Sequence, residues 1–162
     1  ANIYLYPFCR IYLKYNGDVN GWSEYLRGFL TYLTDDYIIL GLDDFLVADY
    51  VDTKVYYNAE DLIGGDVVCI KLCKSTTEEH NEYPVTTQFT IWDRLYLIQL
   101  LRETTSPWNF EIKGSQLFDK KVLLMTCIDY YCNSSVSGRW EGVKLDGLKQ
   151  GDINLLKEYK YV

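Results

Sequence analysis

Residues 37–44 are YIILGLDD, a continuous apolar run that ends in two aspartates. A short apolar run between polar segments is typical of a strand that is buried on both faces of a parallel or mixed sheet. We therefore expect such a strand over residues 37–42. Because ligands of open α/β sheets bind beyond the carboxyl ends of the strands, Asp43 and Asp44 are the first candidate site residues.

Helical and extended patterns alternate on both sides of this run. The expected helices cover residues 22–33, 52–62, 93–102, a short segment from Pro107 capped by Ser106, and residues 152–159. The expected strands cover residues 3–6, 10–14, 67–73, 88–92 and 122–127. Gly64 and Gly65 predict a turn. Strands that alternate with helices predict a single α/β domain over residues 1–162, with a mixed or parallel sheet flanked by helices.

The histidine and cysteine content limits the chemistry. The single histidine, His80, excludes a metal site built from several imidazoles within one chain. The five cysteines are odd in number and include no C-x-x-C pair, which favours reduced thiols in a cytoplasmic protein. No stretch approaches the roughly 18 apolar residues of a membrane span, so we expect no transmembrane segment.

The charge of the chain limits its partners. Sixteen Lys and Arg residues against twenty-three Asp and Glu residues give a net charge of -7. Such a chain repels the phosphates of nucleic acid, which we do not expect as a partner. An anionic ligand would need a local device such as a bound cation, and the adjacent carboxylates of Asp43 and Asp44 could hold Mg²⁺ or Mn²⁺. The alternative is that the two aspartates simply begin a solvated loop.

Three blocks of sequence carry a resemblance to a known family. The first joins GDVNGWSE at 17–24 to TDDYIILGLDDFL at 34–46, and it is similar to a G-D-x-x-W-S-E-x-L helix followed by Y-I-x-x-x-x-D-D-F. The second joins Ile91 and Trp92 to SPWNFE at 106–111, and the third is VSGRW at 136–140. Together they cover most of the chain, which resembles bacterial glycosyltransferase-like proteins of capsule and lipopolysaccharide biosynthesis.

The resemblance implies a GT-A-like fold that binds a nucleotide-sugar donor and a glycan acceptor. In that fold a divalent cation, Mn²⁺ or Mg²⁺, holds the donor diphosphate on an acidic motif. Asp43 and Asp44 match this motif, with Asp44 the expected direct ligand. Family members have a further strand and helix at the amino end, where the nucleotide base is held. We therefore expect a GT-A-like domain shortened at the N-terminus, whose site a partner chain or a second copy could complete.

The resemblance also implies catalytic and binding residues outside the acidic motif. If the reaction inverts the anomeric centre, a carboxylate must take the proton of the acceptor hydroxyl, and Glu111 is the candidate. Trp108 lies three positions before Glu111 in the sequence and could stack on a sugar ring. The alternatives are a carboxylate in the first turn of a helix for Glu111 and core packing for Trp108.

Four further residues complete the expected site. Ser23, Glu24 and Trp92 are expected beside the donor or the acceptor. Arg139 could neutralise a phosphate, or it could form an ordinary surface ion pair.

Three functions are compatible with these patterns. The first is a metal-dependent glycosyltransferase of surface polysaccharide assembly. The second is a non-catalytic carbohydrate-binding or degenerate glycosyltransferase-like module, which the sixteen tyrosines and the missing amino-terminal unit favour. The third is a nucleotide-dependent transferase or hydrolase without a sugar acceptor. The donor, the acceptor and the stereochemical outcome stay open at this stage.

Overall fold

A computed structural model describes residues 19–42, 45–47, 51, 54–73, 83–127 and 130–132. The structural statements below refer to these residues. The expected strands at 3–6 and 10–14 and the expected helix at 152–159 lie outside them. None of the described helices is long and apolar enough to cross a membrane.

Four α-helices occur where the sequence predicts them. They are α1 (Trp22–Leu30), which follows a 3-10 turn at Val19–Gly21, α2 (Lys54–Leu62), α3 (Arg94–Arg102) and α4 (Pro107–Leu117). Local capping sets the start of two of them. The Asp93 side chain accepts a hydrogen bond from the Tyr96 amide at 2.8 Å, and Ser106 Oγ accepts one from the Asn109 amide at 3.2 Å. Ser106 and Pro107 therefore begin α4 as predicted.

The strands form two sheets within the described residues. They are β1 (Tyr37–Leu40), β2 (Phe45–Val47), β3 (Val67–Lys71), β4 (Thr90–Asp93), β5 (Lys121–Leu124) and β6 (Tyr130–Cys132). Four of them make a mixed sheet in the order β1-β4-β3-β5, with β4 antiparallel to both neighbours and β3 parallel to β5. β2 and β6 form a separate antiparallel pair that the sequence analysis did not predict.

The position of β1 differs from the prediction. Among the described strands it lies at one edge of the four-stranded sheet and pairs with β4. Leu40 is buried, whereas Ile39 is 51% exposed. The error has a simple cause, because a single exposed isoleucine costs little and an apolar run therefore does not distinguish an edge strand from a central one.

Side chains from both faces of the sheet enter hydrophobic clusters. Cys69 and Trp92 are paired in register on one face and pack with residues of α1, α3 and α4. Ile70 and Ile91 are paired on the opposite face and pack with Ala59 of α2. This alternation follows from the two-residue period of a strand. A mixed sheet with helices on both faces confirms the α/β class.

The turn predicted at Gly64 and Gly65 connects α2 to β3. Their φ angles are +141° and +57°, a region that favours glycine because it has no Cβ. The amide and carbonyl groups of Gly64 and Val67 exchange hydrogen bonds of 2.8 and 3.0 Å. This turn fixes where β3 begins and hence where its carboxyl end lies.

Candidate functional site

A polar cluster lies at the carboxyl end of β3. Lys71 is the last residue of that strand, and β5 runs parallel to β3, so both strands end at the same edge of the sheet. The Met125 amide, just after β5, donates to the Lys71 carbonyl at 2.8 Å. Residues 83–89, which lead into β4, and helix α4 complete the cluster. We call residues 83–89 the 83–89 segment.

Glu111 of α4 holds the 83–89 segment by one of its two oxygens. Glu111 Oε1 accepts hydrogen bonds from the Thr87 amide at 2.8 Å, from Thr87 Oγ1 at 2.8 Å and from Thr86 Oγ1 at 3.1 Å. Both threonines are buried and Glu111 is half-buried. Within the described residues, Glu111 Oε2 accepts no hydrogen bond. The carboxylate is therefore held in one orientation with its second oxygen available.

Lys71 is the basic group of this cluster. Its half-buried ammonium donates a hydrogen bond to the Tyr83 carbonyl at 2.6 Å. Burial lowers the pKa of Lys71 from its usual value, and the nearby Cys69, Cys73 and Glu111 oppose this shift. Burial also raises the pKa of the Cys69 thiol to about 12, which keeps that thiol protonated and unreactive at neutral pH.

Trp108 presents an exposed aromatic surface on the same helix as Glu111. Residues three and four apart are neighbours on a helix, so Trp108 lies next to Glu111 and Ile112 on the surface of α4. Trp108 is 67% exposed and Ile112 is 49% exposed. The interpretation of Trp108 as a core residue is therefore wrong. Phe110, which is fully buried, anchors α4 in the core in its place.

The position of Glu111 also contradicts the alternative interpretation, which was a carboxylate in the first turn of a helix. It is the fifth residue of α4, one turn beyond the first turn of the helix. Its carboxylate accepts hydrogen bonds from the 83–89 segment, as described above, and not from the first amides of its own helix. Its orientation thus depends on a tertiary contact.

Two residues of the expected site lie in the protein interior. Ser23 has no exposed surface, and its hydroxyl makes a 2.9 Å hydrogen bond with Thr104 Oγ1. Trp92 is also fully buried, with its ring 5.9 Å from that of Phe110 and 6.4 Å from that of Phe118. Trp92 Nε1 has no hydrogen-bond partner within the described residues. These side chains hold α1 and β4 in the core, so we leave them out of the ligand-binding surface.

Glu24 lies in a different place from Glu111 in the fold. It lines a pocket of about 220 Å³ between α1 and the end of α3. The other lining residues include Asn20, Arg27, Leu101, Arg102, Thr104 and Thr105.

The acidic motif and Arg139 lie outside the described residues. Asp43, Asp44 and Arg139 therefore stay predictions from the sequence, as does the divalent cation. The residues that the structure describes contain no group of three or more His, Cys, Asp or Glu side chains that could hold a metal ion. In the sequence, Asp43 is three positions beyond Leu40, the last residue of β1.

The sequence analysis missed three residues of the polar cluster. Lys71 carried a usable signal, because it is a charged residue inside the otherwise apolar segment 67–73. Thr86 and Thr87 carried none, since two threonines in a connecting segment are common and their contact with Glu111 joins residues 24 or more positions apart.

The comparisons with known proteins give no relative. No protein-family model matches the sequence, and no significant match is found among curated proteins or among solved structures.

Proposed function

We propose that this chain is a metal-dependent glycosyltransferase with a GT-A-like fold, and that Glu111 is the base that activates the acceptor hydroxyl. The observation that supports this best is the asymmetry of the Glu111 carboxylate. Three hydrogen bonds fix Oε1, Oε2 accepts none within the described residues, and the exposed Trp108 lies three positions earlier on the same helix. A general base needs a fixed orientation and one oxygen that can reach the proton it takes.

The proposed step uses the two oxygens differently. Glu111 Oε2 accepts the proton of the acceptor hydroxyl while the hydroxyl oxygen forms a bond to the anomeric carbon of the donor sugar. The bond from that carbon to the nucleoside diphosphate breaks, and the diphosphate leaves with the electron pair. Trp108 offers a flat apolar face for the C–H side of a sugar ring, which would orient the acceptor.

The proposed donor site requires a cation because the chain is acidic. Asp43 and Asp44 supply two adjacent carboxylates, which are suitable ligands for Mg²⁺ or Mn²⁺ together with phosphate oxygens. A bound divalent cation would offset the negative charge of the donor diphosphate and of the departing nucleoside diphosphate. Asp44 is the proposed direct ligand and Arg139 a proposed additional phosphate contact.

A carbohydrate-binding module without catalysis is the second candidate. The exposure of Trp108 favours it, because an aromatic side chain on the surface can bind a glycan whether or not a donor site exists. In this case Glu111 serves to hold the 83–89 segment against α4 and to accept a hydrogen bond from a sugar hydroxyl.

Titration calorimetry with uridine and guanosine diphosphates, with and without Mn²⁺, tests the first candidate. We expect binding that depends on the metal and is lost in Asp44→Ala, with the fold retained by circular dichroism. For the base, we expect Glu111→Gln to keep this binding and to lose release of nucleoside diphosphate from UDP-glucose or GDP-mannose in the presence of oligosaccharide acceptors. Asp61→Asn removes an exposed carboxylate of α2 and is the matched control.

The two candidates give different results in this set of measurements. The transferase is contradicted if no nucleotide binds. It is also contradicted if nucleotide affinity is the same with and without Mn²⁺ and is unchanged in Asp44→Ala. Glycan binding on an array that is lost in Trp108→Ala, without any nucleotide binding, supports the module. Tyr57→Ala is the control for Trp108→Ala, because Tyr57 is an exposed aromatic residue of α2.

A further inference from the structure

The pocket between α1 and α3 contains two arginines. The two helices are antiparallel, since the Ser23 amide at the start of α1 donates to the Thr105 carbonyl beyond the end of α3, and Arg94 at the start of α3 donates to the Leu30 carbonyl. One face of α1, with Glu24 and Arg27, and the residues at the end of α3 therefore line one pocket. Arg27 comes from α1 and Arg102 from α3, 75 positions later in the chain.

Neither arginine forms an ion pair within the described residues, although Glu24 lines the same pocket. The ion pairs found there join Lys113 to Glu103 and Lys120 to Asp66. The guanidinium groups of Arg27 and Arg102 make no hydrogen bond or ion pair in the described part of the chain. The charge of the chain is -7, so two such cations lining one pocket are a local exception to its electrostatic character.

The pocket also has neutral and acidic polar groups. Thr104 and Thr105 line it from the α3 side, where the Thr104 hydroxyl is already bonded to Ser23 and Leu100, and Glu24 lines it from the α1 side. Guanidinium groups bind phosphate oxygens with two parallel hydrogen bonds, whereas a carboxylate accepts hydrogen bonds from hydroxyl groups. This combination fits a ligand that carries a phosphate group and hydroxyl groups together.

The volume restricts the size of this ligand. Pockets for drug-sized ligands measure roughly 300–1,000 Å³. At about 220 Å³ the pocket is smaller and accommodates a phosphate group with at most about one sugar ring. A long nucleotide or an extended glycan would extend out of it.

We propose that the pocket between α1 and α3 is a binding site for a phosphorylated sugar, in which Arg27 and Arg102 hold the phosphate and Glu24 accepts hydrogen bonds from sugar hydroxyls. The two guanidinium groups would supply local positive charge in addition to the bound cation and Arg139 that the sequence suggests. This site is separate from the base proposed at Glu111, and phosphate binding here does not depend on transferase activity.

The ends of the two helices offer another explanation for the arginines. Arg27 and Arg102 lie in the last turns of α1 and α3, where a cation is favoured by the helix dipole. That effect requires a positive charge near each helix end, but it does not require both side chains to line the same pocket. It predicts a loss of stability in Arg→Gln variants and no ligand binding.

Titration calorimetry with glucose 6-phosphate, inorganic phosphate and glucose tests this inference. We expect saturable binding of glucose 6-phosphate, weaker binding of phosphate and no binding of glucose. Arg27→Gln and Arg102→Gln are each expected to weaken glucose 6-phosphate binding by about tenfold or more, since each removes a hydrogen bond between charged groups. Glu24→Gln is expected to weaken the binding of glucose 6-phosphate more than the binding of inorganic phosphate.

The control variant is Lys121→Gln, which removes an exposed positive charge of β5 outside the pocket and should leave the affinity unchanged. Circular dichroism verifies the fold of each variant, and Arg27→Lys keeps the charge and is expected to retain part of the affinity. Absence of saturable glucose 6-phosphate binding overturns the inference. Binding that Lys121→Gln weakens as much as the arginine variants do also overturns it, because the effect is then one of net charge.

Discussion

The two oxygens of the Glu111 carboxylate differ in their hydrogen bonds. Oε1 accepts hydrogen bonds from two hydroxyl groups and one amide, and these donors belong to the buried Thr86 and Thr87. Leaving a buried donor without an acceptor costs about 1–3 kcal/mol, more than a satisfied hydrogen bond contributes. The same side chain therefore stabilises the fold through Oε1, while Oε2 is the oxygen assigned to the proposed base.

This asymmetry predicts different effects for two substitutions of Glu111. Glu111→Ala leaves the Thr87 amide without its acceptor, so we expect it to lower the free energy of unfolding by about 2–3 kcal/mol. Glu111→Gln keeps an amide oxygen in the same place, and we expect it to cost about 1 kcal/mol or less. Urea unfolding followed by circular dichroism measures both. Gln116→Ala, at an exposed position of α4, is the control, and equal losses in the two Glu111 variants would contradict the prediction.

Helix α4 approaches the 83–89 segment closely, and this contact sets the position of Glu111. A Cβ on Gly114 would lie 3.1 Å from Val85 Cγ1, and Ser115 Oγ accepts a hydrogen bond from the Val85 amide at 3.1 Å. Gly114 is buried, whereas Gly28, a glycine within α1, is exposed and has open space around it. The two positions share helical structure and differ in their surroundings.

This difference predicts opposite outcomes for the same substitution at the two glycines. Glycine costs about 1 kcal/mol in a helix relative to the best residues, so Gly28→Leu is expected to leave stability unchanged or to increase it slightly. Gly114→Leu must displace Val85 and is expected to lower the free energy of unfolding by about 1–3 kcal/mol. Thermal unfolding monitored by circular dichroism compares them. A Gly114→Leu protein as stable as Gly28→Leu would mean that α4 and the 83–89 segment are not tightly packed.

The hydrophobic core of the molecule contains an ionisable side chain, the thiol of Cys69. Cys69 lies in the central strand β3 and faces the cluster of Trp92 and Phe110. Burial raises its pKa from 9.0 to about 12, although Lys71 acts in the opposite direction. The folded molecule therefore keeps a proton on this thiol at pH values where the unfolded chain has released it.

The sign of the resulting pH dependence follows from proton counting. Between pH 9.0 and about pH 12 the folded state binds more protons at Cys69 than the unfolded state, so stability falls as pH rises through this window. The slope from one group is at most about 1.4 kcal/mol per pH unit. We expect the stability of the wild-type protein to fall toward that of Cys69→Ala as pH rises from neutral to about pH 10. Urea unfolding at each pH provides the comparison, and a difference that stays constant with pH would contradict the assignment.

Local signals in the sequence were enough to predict most of the described helices and strands. Ser106 and Pro107 marked the start of α4, and Gly64 and Gly65 marked the turn before β3, because each acts through its own backbone or its nearest neighbours. The short pair of β2 and β6 was missed. Its strands contain three residues each and lie 83 positions apart when counted from Val47 to Tyr130, so no local pattern indicates the pairing.

The sequence by itself determined the α/β class, the start of α4, the turn before β3 and the acidic character of the chain. Only the tertiary structure decided that β1 is at the edge among the described strands, that Trp92 is buried while Trp108 is exposed, and that Glu111 contacts Thr86 and Thr87. It also brought Arg27 and Arg102 to one pocket. The physical reason is that caps and turns depend on residues a few positions apart. Side-chain exposure and side-chain contacts depend instead on strand order and helix packing, which join distant parts of the chain.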